Sequence, residues 1–343
     1  MTKEGPPPTT RVVTPMLSSV SDLAGRLEHP TQASASRLAV RLNRAAVGTA
    51  ILLLSLSNPT VSQDIEPRRW TPLPIGTNVV GVGHVRTEGD IAFDPVLKIE
   101  DATFRSTASI FSFLHAFDFL GKSARFDVRL PHVSARWEGL LNGTPASTGR
   151  TGLGDPRLRV SVNFLGAPAL SAQALREYRA AHPTNTVAGA ALAVTLPLGD
   201  YEKDKLLNIG HNRFAVRPQL GVVHTRGPWS YELTGSVFFY TDNNEFFGTT
   251  LEQDPLMTVQ THLIYASPRG WWTSISAAYD EGGESRIDGV REDDRRRDLL
   301  FGLSAGFSYH RYSSVKLAYV GSRTQEDLGA DTDYLALALS IRF

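Results

Sequence analysis

Charged side chains recur at every second position in several short stretches of this chain. Arg125, Asp127 and Arg129 alternate with Phe126, Val128 and Leu130. Arg157 and Arg159 alternate with Leu158 and Val160, Arg217 and Gln219 with Val216, Pro218 and Leu220, and Gln260 and His262 with Val259, Thr261 and Leu263. Guanidinium, carboxylate, amide and imidazole groups in such files can pair as ions or pass hydrogen bonds to a polar solute. They do not make a catalytic set. Gly302-Leu303-Ser304-Ala305-Gly306 matches the letters of a serine-hydrolase elbow, but that device needs a strand–turn–helix setting, and the surrounding pattern is that of a strand. The nine histidines lack metal spacing and cysteine is absent, so no metal site, thiol nucleophile or disulfide framework is expected. Gly81-Val82-Gly83 lacks the third glycine of a nucleotide loop. No cofactor is therefore expected.

Alternation with period two places polar residues on one face of a strand and apolar residues on the other. Twelve such strands are predicted, near 77–87, 103–117, 123–137, 155–165, 186–198, 213–225, 229–241, 256–267, 270–280, 297–310, 313–323 and 332–343. The connections alternate long and short. Residues 88–102, 138–154, 199–212, 242–255 and 281–296 are long, while 118–122, 226–228, 268–269 and 311–312 are short. Tight turns on one side and long loops on the other are the mark of an outer-membrane barrel. The predicted fold is thus all-β, a transmembrane antiparallel up-and-down barrel of about twelve strands. The connection 166–185 departs from the rule. Ser171 to Ala181 reads as a short helix capped by Ser171, expected to pack as a turn helix at the periplasmic rim, with a plug or docking helix as the alternative.

In a barrel the polar files must point inward, because a charge facing lipid at mid-depth costs about 2–4 kcal/mol. Arg125, Asp127, Arg129, Arg157, Arg159, Arg217, Gln219, Gln260 and His262 are the expected lumen-lining residues. They would either close a narrow barrel with ion pairs or line a solute pathway. Tyr231, Phe238, Phe239, Tyr240, Tyr265, Trp271, Trp272, Tyr279, Tyr309 and Tyr312 lie near predicted strand ends, where aromatic girdles meet the headgroups. The run from Asp280 to Asp298 mixes both charge signs. It reads as a solvated external loop, with cation bridging to lipopolysaccharide as the alternative.

Composition agrees. The 343 residues carry 35 basic and 35 acidic side chains, which gives no reason to expect nucleic acid. No later run of about twenty apolar residues offers a membrane helix. Upstream, Arg37, Arg41 and Arg44 precede the apolar run Ala45 to Leu56, and small residues follow through Thr60-Val61-Ser62 and Gln63. That order predicts a secretory signal peptide within an N-terminal extension, residues 1–63, ahead of a barrel domain at 64–343. At the other end Leu335, Leu337, Leu339, Ile341 and Phe343 share one face, while Ala336, Ala338, Ser340 and Arg342 share the other. This is the kind of last strand that barrel-assembly machinery recognises.

Several local patterns carry a family resemblance. They are Gly152-Leu153-Gly154-Asp155-Pro156 opening a strand, and Thr195-Leu196-Pro197-Leu198-Gly199-Asp200-Tyr201 followed by Leu207-Asn208-Ile209-Gly210 and Arg213-Phe214. Leu130-Pro131, read as a strand end, is a further one. With these, residues 76–343 resemble the outer-membrane family named for the MetA pathway of phenol degradation. The resemblance implies a channel or transporter for small aromatic or apolar molecules, and no catalytic residues. Outer-membrane lipid, lipopolysaccharide, the assembly machinery and an unidentified solute are the expected partners. A barrel that binds through its external loops is the alternative function, and a membrane esterase centred on Ser304 a weaker one.

Overall fold

The computed structural model describes residues 65–92, 99–205 and 207–343. The predicted signal peptide lies outside the described residues.

Twelve antiparallel strands close on themselves. In chain order they are β1 (Asn78–Ala92), β2 (Ile99–Phe119), β3 (Lys122–Leu141), β5 (Arg157–Leu165), β6 (Thr184–Thr195), β7 (Ala215–Arg226), β8 (Trp229–Tyr240), β11 (Leu256–Ala266), β12 (Trp271–Gly282), β15 (Arg296–His310), β16 (Ser313–Thr324) and β17 (Gly329–Arg342). Each pairs with its neighbours, β2 also pairs β3, and β17 pairs back onto β1. Reciprocal backbone bonds between Asn78 and Phe343, 2.9 and 3.0 Å, complete the seam. Closure leaves no unpaired edge in the membrane, the condition for a sheet to span lipid.

Side-chain direction follows the alternation. On β17, Leu335, Leu337, Leu339 and Ile341 are exposed, as are Met257, Val259 and Leu263 on β11. An apolar band this wide, exposed around a closed barrel, suits hydrocarbon and not water. The protein is therefore an outer-membrane barrel in contact with membrane lipid. Trp229, Tyr265 and Trp271 cluster at the short-turn rim, with ring centroids 4.9 and 5.4 Å apart. Phe238 instead faces inward and is buried, and Tyr240 and Trp272 share the inward parity of their strands.

The sequence expectation differs from the structure in the outer connections. Residues 138–154 do not form a loop. β3 runs past Pro131, so Leu130-Pro131 does not end a strand, and β4 (Thr144–Leu153) returns along its upper half. β5 then takes over the lower half, from Arg129 to Ala124. One long strand thus faces two short ones, joined at Gly154-Asp155-Pro156. Two outer connections, within 243–253 and 285–291, build a second small sheet of β9 (Asn243–Phe246), β10 (Thr249–Gln253), β13 (Ser285–Ile287) and β14 (Val290–Arg291), around Phe246, Leu251 and Ile287. The charged run belongs partly to this sheet. Its carboxylates engage arginines, as Arg291 with Glu284 and Arg295 with Glu281 at 2.7 Å. Asp280 and Asp298 lie on barrel strands and are buried.

Helix α1 (Ala172–Ala181) forms as expected. Ser171 accepts from the Ala174 N–H at 3.3 Å, the bond of an N-cap.

Candidate lumen site

The inward files converge on residues that sequence reasoning passed over. Residues 65–77 precede β1, and their first half lies inside the barrel. Ile65 packs on Ala278, Leu300 and Val320 of β12, β15 and β16. The next residue, Glu66, reaches the opposite wall. It pairs with Arg129, with Arg157 at 3.2 Å and with Arg159 at 2.6 Å. Two consecutive residues therefore bridge the lumen.

The segment is anchored further along. Arg69 pairs with Asp127 at 3.2 Å, and Asp127 also holds Arg159 at 2.9 Å. Arg125 donates to the Arg69 carbonyl. The Glu232 carboxylate on β8 accepts from the Arg69 backbone N–H at 2.9 Å. Trp70 donates through Nε1 to Thr234 Oγ1 at 2.8 Å and packs on Ala167, Val187, Ala191 and Val223. Asn163 Nδ2 donates to the Trp70 carbonyl at 3.3 Å. The indole fits because Gly189 and Gly221 face each other across β6 and β7. A Cβ on Gly189 would stand 2.6 Å from the indole ring, and one on Gly221 would overlap Nε1. Arg179 of α1 donates to the Pro72 carbonyl at 2.7 Å, and the Ile75 N–H donates to Leu170 O at 3.0 Å. The helix is thus both a rim helix and a clamp on the neck of the plug.

Of the nine expected lumen residues, the structure brings Arg125, Asp127, Arg129, Arg157 and Arg159 together around the plug. Arg217 lies higher, 4.4 Å over the Phe238 ring, with Nε donating to Ser236 Oγ at 3.0 Å. Gln219, Gln260 and His262 are buried on the inner wall, and His262 Nδ1 lies 2.8 Å from Ser276 Oγ. Ser304 is inward on mid-β15, paired with Ser274, without the turn an elbow requires. Sequence reasoning missed Ile65, Glu66, Arg69, Trp70 and Glu232. A usable signal was the stretch Pro67-Arg68-Arg69-Trp70-Thr71-Pro72, with a tryptophan seven residues ahead of the first predicted strand.

A second segment folds inward from the outer side. It is the connection between β6 and β7, whose Gly199 N–H (2.9 Å), His211 N–H (2.8 Å) and His211 Nδ1 (2.7 Å) meet the carboxylate of Asp155, which lies between β4 and β5. Asp200 exchanges bonds with the Leu153 backbone, at 2.7 and 2.8 Å. These bonds turn Leu207 and Ile209 onto Phe104, Trp137 and Ile91 of β2, β3 and β1, forming an apolar cluster near the outer mouth. The motifs that carried the family resemblance build this inward fold.

A cavity of about 380 Å³ lies alongside Ile65 and Glu66 of the plug and Ile209 and His211 of the outer segment. Arg129, Arg157, Arg217 and Phe238 line one part of it; Gly81, Gly83, Ala318, Ala336 and Ala338 line another. Among the described residues no cluster of His, Asp and Glu suits a metal ion.

Comparison with known proteins agrees with this architecture. A family model described as "Putative MetA-pathway of phenol degradation" matches residues 76–330. The COG4313 outer membrane channel from Pseudomonas putida F1 is 22% identical, with a TM-score of 0.67 over 82% of this chain and 100% of that one. At 9% identity, the transport unit of the autotransporter AIDA-I from Escherichia coli has a TM-score of 0.47 over 86% and 97% of the two chains. No curated protein matches in sequence.

Proposed function

The chain belongs to the family named for the MetA pathway of phenol degradation, and we propose that it is an outer-membrane channel, not an enzyme, admitting small apolar or aromatic molecules. The cavity between the two inward segments carries this reading. Its size suits a single-ring solute, and it adjoins an apolar cluster on the outer side and a polar plug on the other. The nine predicted lumen residues then have three roles. Arg129, Arg157 and Arg217 border the solute space, while Arg125, Asp127 and Arg159 fix the plug beside it. Gln219, Gln260 and His262 complete the inner wall. The terminal strand Leu335–Phe343 is the proposed signal to the barrel-assembly machinery.

Planar-bilayer recording tests the channel. Wild type should give small, discrete currents, and Trp70→Ala should enlarge them by loosening the plug. Silence from both folded proteins would overturn the reading.

The small outer sheet favours one other role. Its ordered core gives the long loops a fixed surface that could bind a partner. Deleting 283–292 should abolish such binding and leave the current intact.

A further inference from the structure

Among the described residues, the outer apolar cluster contains one buried side-chain polar atom without a partner. Trp137 is 5% exposed, and among the described residues its Nε1 has no acceptor. Its surroundings are Phe104, with ring centroids 5.8 Å apart, and the aliphatic side chains of Ile91, Leu207 and Ile209. A buried N–H left without an acceptor costs on the order of 1–3 kcal/mol. Phenylalanine would fill an apolar plug without that cost. The other buried indole of the lumen, Trp70, has its acceptor at 2.8 Å.

The position of the unpaired donor is informative. Val133 and Ile209 belong to the apolar cluster or pack against it, and both also line the 380 Å³ cavity. The indole does not itself line the cavity: with Phe104 and Leu207 it stands one side-chain layer behind Val133 and Ile209, on the outer side. Phe104 and Trp137 present aromatic rings, Leu207 and Ile209 aliphatic surface, and the indole N–H a single directed donor. This set complements a molecule with a ring-sized apolar body and one acceptor oxygen.

We propose that Trp137 is a specificity-determining residue of the outer entry: its Nε1–H bonds the acceptor atom of a ring-sized solute lodged against Phe104, Leu207 and Ile209. The site rests on the channel reading above and adds the chemistry of what is admitted. A hydrocarbon of the same shape gains the apolar contact but leaves the donor unpaired. Sites built around a hydrogen bond discriminate in this way.

Indole N–H resonances of the purified barrel, labelled with 15N-tryptophan in micelles, test it. The chain has five tryptophans, and Trp137→Phe assigns the relevant signal by its loss. Acetophenone should move the Trp137 resonance downfield and saturate. Ethylbenzene, without the oxygen, should leave it in place. In wild type acetophenone should bind about tenfold tighter than ethylbenzene, the order one hydrogen bond supplies. Trp137→Phe should erase that ratio. Equal shifts with both probes, no shift with either, or an unchanged ratio in Trp137→Phe would overturn the proposal. Bilayer currents, measured separately, report whether the channel reading itself stands.

Discussion

On β3, β5 and β8 the inward positions carry Arg125, Asp127, Arg129, Arg157, Arg159 and Glu232, whereas on β1, β16 and β17 they carry Gly81, Gly83, Ala318, Ala336, Ala338 and Ser340. The first wall reaches into the lumen and needs partners. Its charges are taken up by Glu66 and Arg69 of the plug. The second wall, apart from Lys316 and Tyr334, carries small side chains here and leaves space. Twelve strands set the barrel's diameter, but the inward side chains decide how much of it is open. The contrast teaches that the occluding segment and the passage share one cross-section: the plug is tied by charge to one wall and by Ile65 to β12, β15 and β16, and a cavity persists beside it.

The largest effect should come from the charged wall. Glu66→Gln leaves three guanidinium groups without their shared carboxylate. Breaking a buried pair costs about 3–5 kcal/mol, and a lumen with access to water places the loss at the lower end. The plug should detach, the current should rise, and the open lumen should favour anions. Conductance and reversal potential in a salt gradient measure both. Unchanged values would show that the plug is held by Trp70 and Ile65 instead.

The second wall predicts the opposite response. Ala338→Phe places a ring in the cavity beside Gly83, its register partner. Overpacking costs 1–3 kcal/mol in a filled core, so a ring entering empty space should cost less than about 1 kcal/mol. Conductance should fall sharply while the urea midpoint barely moves. A normal current would mean that solutes pass elsewhere.

Much of the fold was legible because a barrel imposes one rule on every strand. Leu335 to Phe343 and Leu158 to Phe164 alternate cleanly, since one face meets lipid and a slip of one residue would expose the wrong set. Two features escaped, one in the outer connections and one in the lumen. Residues 138–154 read as a loop because Gly139, Gly143 and Pro145 break the alternation, yet β3 and β4 pair there above the apolar belt, where no lipid face enforces it. The plug escaped for a different reason. Residues 65–77 form no regular element with a period to detect. Their placement depends on partners 58 to 163 residues away, such as Asp127 and Glu232, and on Gly189 and Gly221 being bare at the same height. The lumen files could be assigned a direction from sequence, but the groups they would bind could not.

The smallest expected effect concerns the join between the plug and the rim. Arg179 lies on the exposed side of α1, and its bond to the Pro72 carbonyl is solvent-accessible. A bond of this kind contributes about 0.5–1.5 kcal/mol. Arg179→Ala should therefore leave the unfolding midpoint nearly unchanged. The plug's deep anchors at Glu66 and Trp70 remain, so mean conductance should hold as well. What should change is the neck between Pro72 and Gly76, which loses one of its ties to the wall. Current noise should increase through brief openings, and those openings should vanish when Arg179→Ala is combined with a cysteine pair tethering Pro72 to α1. Noise identical to wild type would mean that the helix only fills the rim. Noise with a large rise in mean current would mean that the neck, not the charged wall, holds the plug in place.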